Sequence, residues 1–225
     1  MEPNIAFVAG LLADPSRSAM CLALAGGEAR PAGELAARAG VSAQAASNHL
    51  ARLVAGHILR VEQQGRWRYY RLAGAEVGHA VEALAVVAPQ QPEAREGLAG
   101  AASLRLKEAR TCYSHLAGRL GVAIADALIA QGWLEDNGAA YRVTPLGVRS
   151  LSALGIQSNG RRAPEAARRC LDWTERRHHV AGPVGTGLAD LALARSWVRR
   201  LRDSRALLIT PGGRRELKRI LNVRL

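Results

Sequence analysis

At 225 residues and 48% hydrophobic content, the chain is long enough to bury two cores and too apolar for intrinsic disorder. A formal net charge of +12 points to a polyanionic partner, and three cysteines are too few for a disulfide framework. No apolar run reaches bilayer-spanning length and residues 1–13 lack the basic start of a signal peptide, so a cytoplasmic protein with no membrane partner is expected. The charge is uneven. Residues 1–95 hold 9 Lys+Arg against 8 Asp+Glu, and residues 96–225 hold 22 against 11. Three readings of that excess stand open: extra contacts to a nucleic-acid backbone, an anionic ligand, or the arginine bias of a high-GC genome.

In chain order, Asn4–Ala13 reads as a short apolar helix, and Asp14-Pro15 supplies the N-cap and first-turn proline of a second. Cys21, among Met20, Leu22 and Leu24, reads as an inert core thiol. Pro31–Ala39 predicts a third helix, closed by Gly40. Ser42 then caps a fourth, with Ala45, His49, Leu50, Leu53 and Val54 on its inner side and Gln44, Ser47, Asn48 and Arg52 on another face. Gly56 ends it. Ile58, Leu59 and Val61 predict a first strand, Gln63–Arg66 a turn, and Trp67, Tyr69 and Leu72, alternating with Arg68 and Arg71, a second strand. A short polar helix face suits hydrogen bonding to base edges, and arginines on the following hairpin suit phosphates.

The pattern Ser-x-x-x-x-Ser-x-His-Leu-x-x-Leu, then Ala-Gly-x-Leu, then Gly-Arg-x-x-Tyr-Tyr-x-Leu resembles the ArsR-type winged helix-turn-helix repressors of bacteria. Ser42, Ser47, His49, Leu50, Leu53, Ala55, Gly56, Leu59, Gly65, Arg66, Tyr69, Tyr70 and Leu72 fill it. Leu12, Asp14, Pro15 and Arg17 match the stretch that opens such domains. The resemblance covers about residues 1–90. It implies a homodimer paired through terminal helices, here Gly78–Val87, that binds a palindromic operator in double-stranded DNA. The expected DNA contacts are Ser42, Gln44, Ser47, Asn48, His49, Arg52, Arg66 and Arg68. The metal sites familiar in the family are not matched. The first helix of the helix-turn-helix, Glu34–Arg38, holds no thiol, and His79 with Glu82 on the last helix supplies only two ligands, read as a solvated pair.

Pro89–Pro92 marks a domain boundary, giving domains over 1–90 and 96–225. A helix is expected from Leu98 through Leu104, Ala109 and Cys112. An internal repeat follows: His115 to Trp133 recurs 64 residues later as His179 to Trp197, each opening His-x-Ala-Gly and carrying a further glycine at Gly121 or Gly185. After each tryptophan come a polar turn, a strand-like run (Tyr141–Val143; Ala206–Ile209) and a Thr-Pro-x-Gly helix start at Thr144 or Thr210. Two repeats, about 98–157 and 164–225, thus reuse a winged-helix-like plan of helix, tryptophan, hairpin, helix. Arg110, Cys112, Tyr113, His115, Cys170, Trp173, His178 and His179 cluster before them as sensor candidates. Four alternatives remain for these residues: a transition-metal or haem site of Cys112, His115, Cys170 and His179; a thiol switch between the two cysteines; an organic or anionic ligand; or a structural role. Cys112 and His115, three apart, could share a helix face, whereas Cys170 and His179 are nine apart. The tail from Trp197 to Arg224 carries 9 Lys+Arg against two acids, a solvated face or a contact to flanking DNA.

The expected fold is mainly α with small β-wings, an α+β chain with an N-terminal winged helix-turn-helix and two C-terminal winged-helix-like repeats. The expected function is a DNA-binding regulator, a repressor responsive to a ligand, metal or redox signal. Alternatives are an enzyme with a DNA-binding N-terminal domain and a constitutive DNA binder. Against an enzyme, the sequence holds no glycine-rich phosphate loop, no nucleophile elbow and no His-Glu-x-x-His motif.

Overall fold

A computed structural model describes residues 2–89, 101–156 and 166–225. The chain divides into two compact units, 1–98 and 99–225. Residues 90–92 of the proline-bounded stretch fall outside the described residues. Among the described residues no single helix is long and apolar enough to cross a membrane.

The first unit contains α1 (Ile5–Leu12), α2 (Pro15–Ala23), β1 (Arg30–Pro31), α3 (Ala32–Ala39), α4 (Ala43–Ala55), β2 (Leu59–Gln64), β3 (Trp67–Leu72) and α5 (Ala75–Val87). Its helix starts are written locally. Asn4 accepts from the Phe7 amide, Asp14 from the Arg17 amide and Ser42 from the Ala45 amide, each filling a donor that the first helical turn leaves open. Gly40, at φ 66°, makes the left-handed turn between α3 and α4. Met20, Cys21, Leu24, Leu35, Ala46, Leu50, Leu53, Ile58, Leu59, Tyr70 and Val81 form one core. Burial pushes the Cys21 thiol up to about 12, which fits an inert core cysteine.

The wing departs from the expected facing. Tyr70 is buried and pairs with Arg30 of β1, whereas Trp67 is 58% exposed. The two-residue turn at Gly65-Arg66 sets Gln64 opposite Trp67, so residues 68, 70 and 72 share one face and 67, 69 and 71 the other. The expected solvated pair on α5 is also corrected, because Glu82 is buried.

The second unit begins with α6 (Ala101–Glu108) and then repeats one plan twice. The first half is β4 (Arg110–Cys112), β5 (His115–Ala117), α7 (Gly118–Ala130), β6 (Leu134–Asp136), β7 (Tyr141–Val143) and α8 (Pro145–Ala153). The second is β8 (Ala166–Leu171), β9 (His178–Ala181), α9 (Gly182–Ala194), β10 (Val198–Arg200), β11 (Leu207–Ile209) and α10 (Pro211–Leu221). The expected start of the long helix at Leu98 lies outside the described residues, and the helix stops at Glu108 short of Cys112. Arg110–Cys112 is a strand because it pairs with β5 and with a segment some ninety residues away: Thr111 N donates to Arg205 O at 2.9 Å and Leu207 N to Ala109 O at 2.8 Å.

The halves exchange their edges. The β6–β7 hairpin of the first half continues into β8–β9 of the second, and Ala206, just before β11 of the second, bridges back to Arg110 of β4 in the first. The helices follow suit, with α7 packing on β9 and α9 on β5. A single core runs through both halves, including Leu120, Leu128, Trp133, Leu151, Val184, Leu188, Trp197 and Leu217.

The Thr-Pro-x-Gly starts have one physical reason. Thr144 and Thr210 cap α8 and α10 by accepting from the Gly147 and Gly213 amides, and their hydroxyls donate to Gly132 O and Ser196 O. A Cβ on Gly147 or Gly213 would lie 2.0 Å from the carbonyl oxygen of Trp133 or Trp197, so each helix seats directly on backbone. Gly147→Ala should therefore lower the stability of the second unit by about 1–3 kcal/mol in urea unfolding, the usual range for overpacking. Gly33→Ala, at an exposed position in the first turn of α3 with no atom within 4 Å, should instead stabilise the first unit by at most roughly 0.5–1 kcal/mol.

Candidate functional site

The residues singled out from sequence fall into two groups, an exposed one in the first unit and a largely buried one in the second. In the first, α4 presents Gln44, Ser47, Asn48 and Arg52 to solvent while Ala46, Leu50 and Leu53 fill the core. Ser42 is exposed too, with its hydroxyl engaged as the cap of α4. His49 turns inward, half-buried, with Nδ1 3.7 Å from Asp14 Oδ1, which places it behind the exposed face. On the wing, Arg66 and Arg68 are exposed, their guanidinium groups 5.3 Å and 5.9 Å from the Trp67 and Tyr70 rings. Arg71 is held by Glu62 at 3.1 Å.

In the second unit the sensor candidates divide. Cys112 and His115 are cross-strand partners in β4–β5, and Cys170 and His179 are cross-strand partners in β8–β9. The hairpins face each other. One ligand atom from each of the four residues lies within 4.8 Å of the others, and His179 Nε2 is 3.1 Å from His115 Nδ1. Cys112 and His179 are buried, and His115 and Cys170 are half-buried. The nine-residue separation of Cys170 and His179 is thus closed by strand register.

Two glycines make the approach feasible. A Cβ on Gly121 would lie 2.4 Å from Leu116 O and 3.4 Å from His179 Cβ, and one on Gly185 would lie 2.3 Å from Val180 O and 3.1 Å from His115 Cβ. Each repeat's glycine clears space for its own strand and for the other repeat's histidine.

Beneath the cluster lies a buried ion pair that the sequence reading missed as a unit. Arg110 donates to Asp172 Oδ1 at 2.7 Å, with both side chains almost fully excluded from solvent. The same oxygen accepts from the Thr174 amide and hydroxyl and the Glu175 amide, while Oδ2 accepts from the Gly118 amide at 2.7 Å. Oδ2 also lies 3.3 Å from His179 Nδ1, a close approach without full hydrogen-bond alignment. Burial opposes ionisation of Asp172, but His179, Arg110 and the Gly118 amide outweigh it and hold the carboxyl far below the usual range. For His179, burial disfavours the charged ring, yet Asp172 and Cys112 leave its pKa raised. The local signal was the Asp-Trp-Thr sequence, whose carboxylate folds back on its own amides as an Asx turn. Its arginine partner lies 62 residues upstream.

The other candidates stand apart. Arg110 also lies 5.3 Å from the Trp173 ring, so both are occupied within the support layer. Tyr113 lies under Arg205 at 4.8 Å. His178, next to His179 on β9, engages Arg169 Nη2 at 3.0 Å through Nδ1. Adjacent strand residues face opposite sides, which is why only one of the two histidines joins the cluster.

A helix-turn-helix domain family profile matches residues 12–62. A Bacillus subtilis (strain 168) protein described as an uncharacterized HTH-type transcriptional regulator, YdfF, is 42% identical over 234 residues, covering 100% of both chains. Among solved structures, a homodimeric winged helix-turn-helix DNA-binding domain from Mycobacterium bovis, a possible ArsR-family regulator, is 30% identical over 37% of this chain and 76% of its own, with a TM-score of 0.35. A cadmium sensor from Mycobacterium tuberculosis is 33% identical over 40% of this chain and 98% of its own, with a TM-score of 0.32. With 42% identity to an HTH-type regulator over its full length, and a helix-turn-helix and wing in its first unit, the chain belongs to the HTH-type transcriptional regulators.

Proposed function

We propose that the protein is a cytoplasmic transcriptional repressor that binds a palindromic operator as a homodimer, and that residues 99–225 form a non-enzymatic control domain responsive to an effector. The observation that carries the reading is the division of labour on α4, with a polar, solvent-facing row beside a fully buried apolar one. Gln44, Ser47, Asn48 and Arg52 read bases and adjacent phosphates, and Arg66 and Arg68 on the wing hold the backbone. His49, turned toward Asp14, orients the helix from behind.

Apolar surface supports the dimer. Ile5 is 76%, Phe7 54%, Leu84 50% and Val87 76% exposed, so α1 and α5 carry large side chains that a lone domain leaves in water. A groove lined by Ser18, Cys21 and Leu22 of α2, by Val81, Leu84 and Ala85 of α5 and by Leu12 at the end of α1 continues this apolar surface. Pairing of α1 and α5 with a second copy covers both and sets two reading helices on one face of the duplex.

Two experiments test the reading. In binding to DNA from upstream of the protein's own gene, Ser47→Ala and Asn48→Ala should lower affinity for the specific site by about 1–3 kcal/mol each and leave random duplex little changed. Arg66→Ala should weaken both duplexes alike and reduce the slope of log affinity against log salt by about one. Equal losses on both duplexes for all three variants would sink the assignment of roles. For the dimer, Leu84→Asp combined with Val87→Asp should convert the species seen by light scattering to a monomer and reduce operator affinity. A dimer that survives both charges would mean that α5 is not the interface.

A further inference from the structure

We infer that Cys112, His115, Cys170 and His179 form a tetrahedral site for a thiophilic transition-metal ion of the zinc class, and that this ion is the effector of the regulator proposed above. The step from regulator to metal-responsive regulator rests on that reading; the site itself rests on the geometry of the second unit alone.

The donor set is the first argument. Two thiolates and two imidazoles satisfy zinc(II) or a similar soft, tetrahedral ion, and the two thiolate charges neutralise a divalent cation in a largely buried place. Size is the second. Zinc–sulfur bonds of about 2.3 Å and zinc–nitrogen bonds of about 2.0–2.1 Å put tetrahedral donors roughly 3.3–3.8 Å apart. The four atoms here lie within 4.8 Å of one another, with the histidine nitrogens 3.1 Å apart, so the space between them suits one ion and not an organic molecule.

Support around the ligands is the third argument. His179 turns Nε2 toward His115 and Nδ1 toward Asp172, the carboxylate–histidine arrangement that fixes a ligand's tautomer and ring orientation at metal sites. Asp172 is itself fixed by Arg110, Thr174 and the Gly118 amide, and the Arg110 charge balances the carboxylate. A buried charged pair costs desolvation and is weak evidence of stability in itself. Here it holds the carboxylate against the one imidazole of the cluster that is almost fully buried.

Placement gives the site its regulatory meaning. Each hairpin contributes one cysteine and one histidine, so the ion joins the two repeats at the junction where α7 packs on β9 and α9 on β5. Gaining or losing it biases the relative seating of the halves. The half-buried His115 and Cys170 leave a route for exchange with solution.

The test uses the full chain, reduced and stripped of metal, titrated with cobalt(II) and then with zinc. One equivalent of cobalt should bind with the absorption of tetrahedral thiolate coordination and be displaced by zinc. Cys112→Ser and Cys170→Ser should each weaken binding on the order of 100-fold or more, and Asp172→Asn about 10–100-fold with the tetrahedral spectrum retained. Circular dichroism of each apo variant verifies folding, and His115→Gln, at a half-exposed position, serves as the ligand variant should a buried one unfold. In parallel, one equivalent of zinc should shift the Kd for the upstream DNA roughly 5- to 150-fold. No stoichiometric metal, or binding indifferent to the cysteine and histidine variants, overturns the site. Metal binding that leaves operator affinity unchanged overturns the effector assignment. An apo chain with no preference for its upstream DNA defeats the regulator reading and leaves the metal result standing.

Discussion

The Arg110–Asp172 pair is the constraint around which the second unit is arranged. An arginine almost wholly out of water is tolerable only beside a carboxylate, and a carboxylate so buried needs its remaining lone pairs filled. Asp172 meets that need with the Thr174 and Glu175 amides, the Thr174 hydroxyl and the Gly118 amide at the start of α7. The pair thereby ties β4, the β8–β9 connection and α7 into one body. Removing one partner strands the other, a loss that buried pairs elsewhere put at about 3–5 kcal/mol. The same carboxylate faces His179, so the fold and the candidate site share a foundation.

The repeats explain why the site sits where it does. In each half a stretch closing on cysteine pairs antiparallel with one opening on histidine: Arg110-Thr-Cys112 against His115-Leu-Ala117 in the first, and Arg168-Arg-Cys170, within β8, against His179-Val-Ala181, within β9, in the second. Exchange of strands between halves brings the two hairpins face to face, and Gly121 and Gly185 permit the approach. The halves are not equal. The first hairpin turns through Tyr113 and Ser114, with Tyr113 at a left-handed φ of 57°, whereas the second carries a longer connection that houses Asp172 and Thr174. One half's extra loop thus completes the buried arginine of the other.

In the first unit, the cost of exposed apolar surface on α1 and α5 and the polarity of the outward face of α4 have a common logic. The polar outward face of α4 adds nothing to the core, so the helix is held by its opposite face, where Ala46, Leu50 and Leu53 join Leu35 and Met20. The apolar side chains Ile5, Phe7, Leu84 and Val87 of α1 and α5 are left on the surface of the unit.

Much of this was legible in the sequence wherever the cause was local. Caps at Asn4, Asp14, Ser42, Thr144 and Thr210, the left-handed Gly40 and the sides of α4 all follow from residues within a few positions of one another. The repeat was legible too, because glycine, tryptophan and Thr-Pro-x-Gly mark backbone contacts that recur in each copy. Tertiary structure decided the rest. Tyr69 and Tyr70 stand side by side, so only pairing with β1 and β2 selects which one faces the core. Arg110–Cys112 became a strand through partners near residue 206, beyond the reach of helical periodicity. The equivalence of Cys112 and Cys170 was hidden because the longer second hairpin shifts the cysteine out of the 64-residue repeat, while cross-strand register, which ignores loop length, brings each cysteine opposite its histidine.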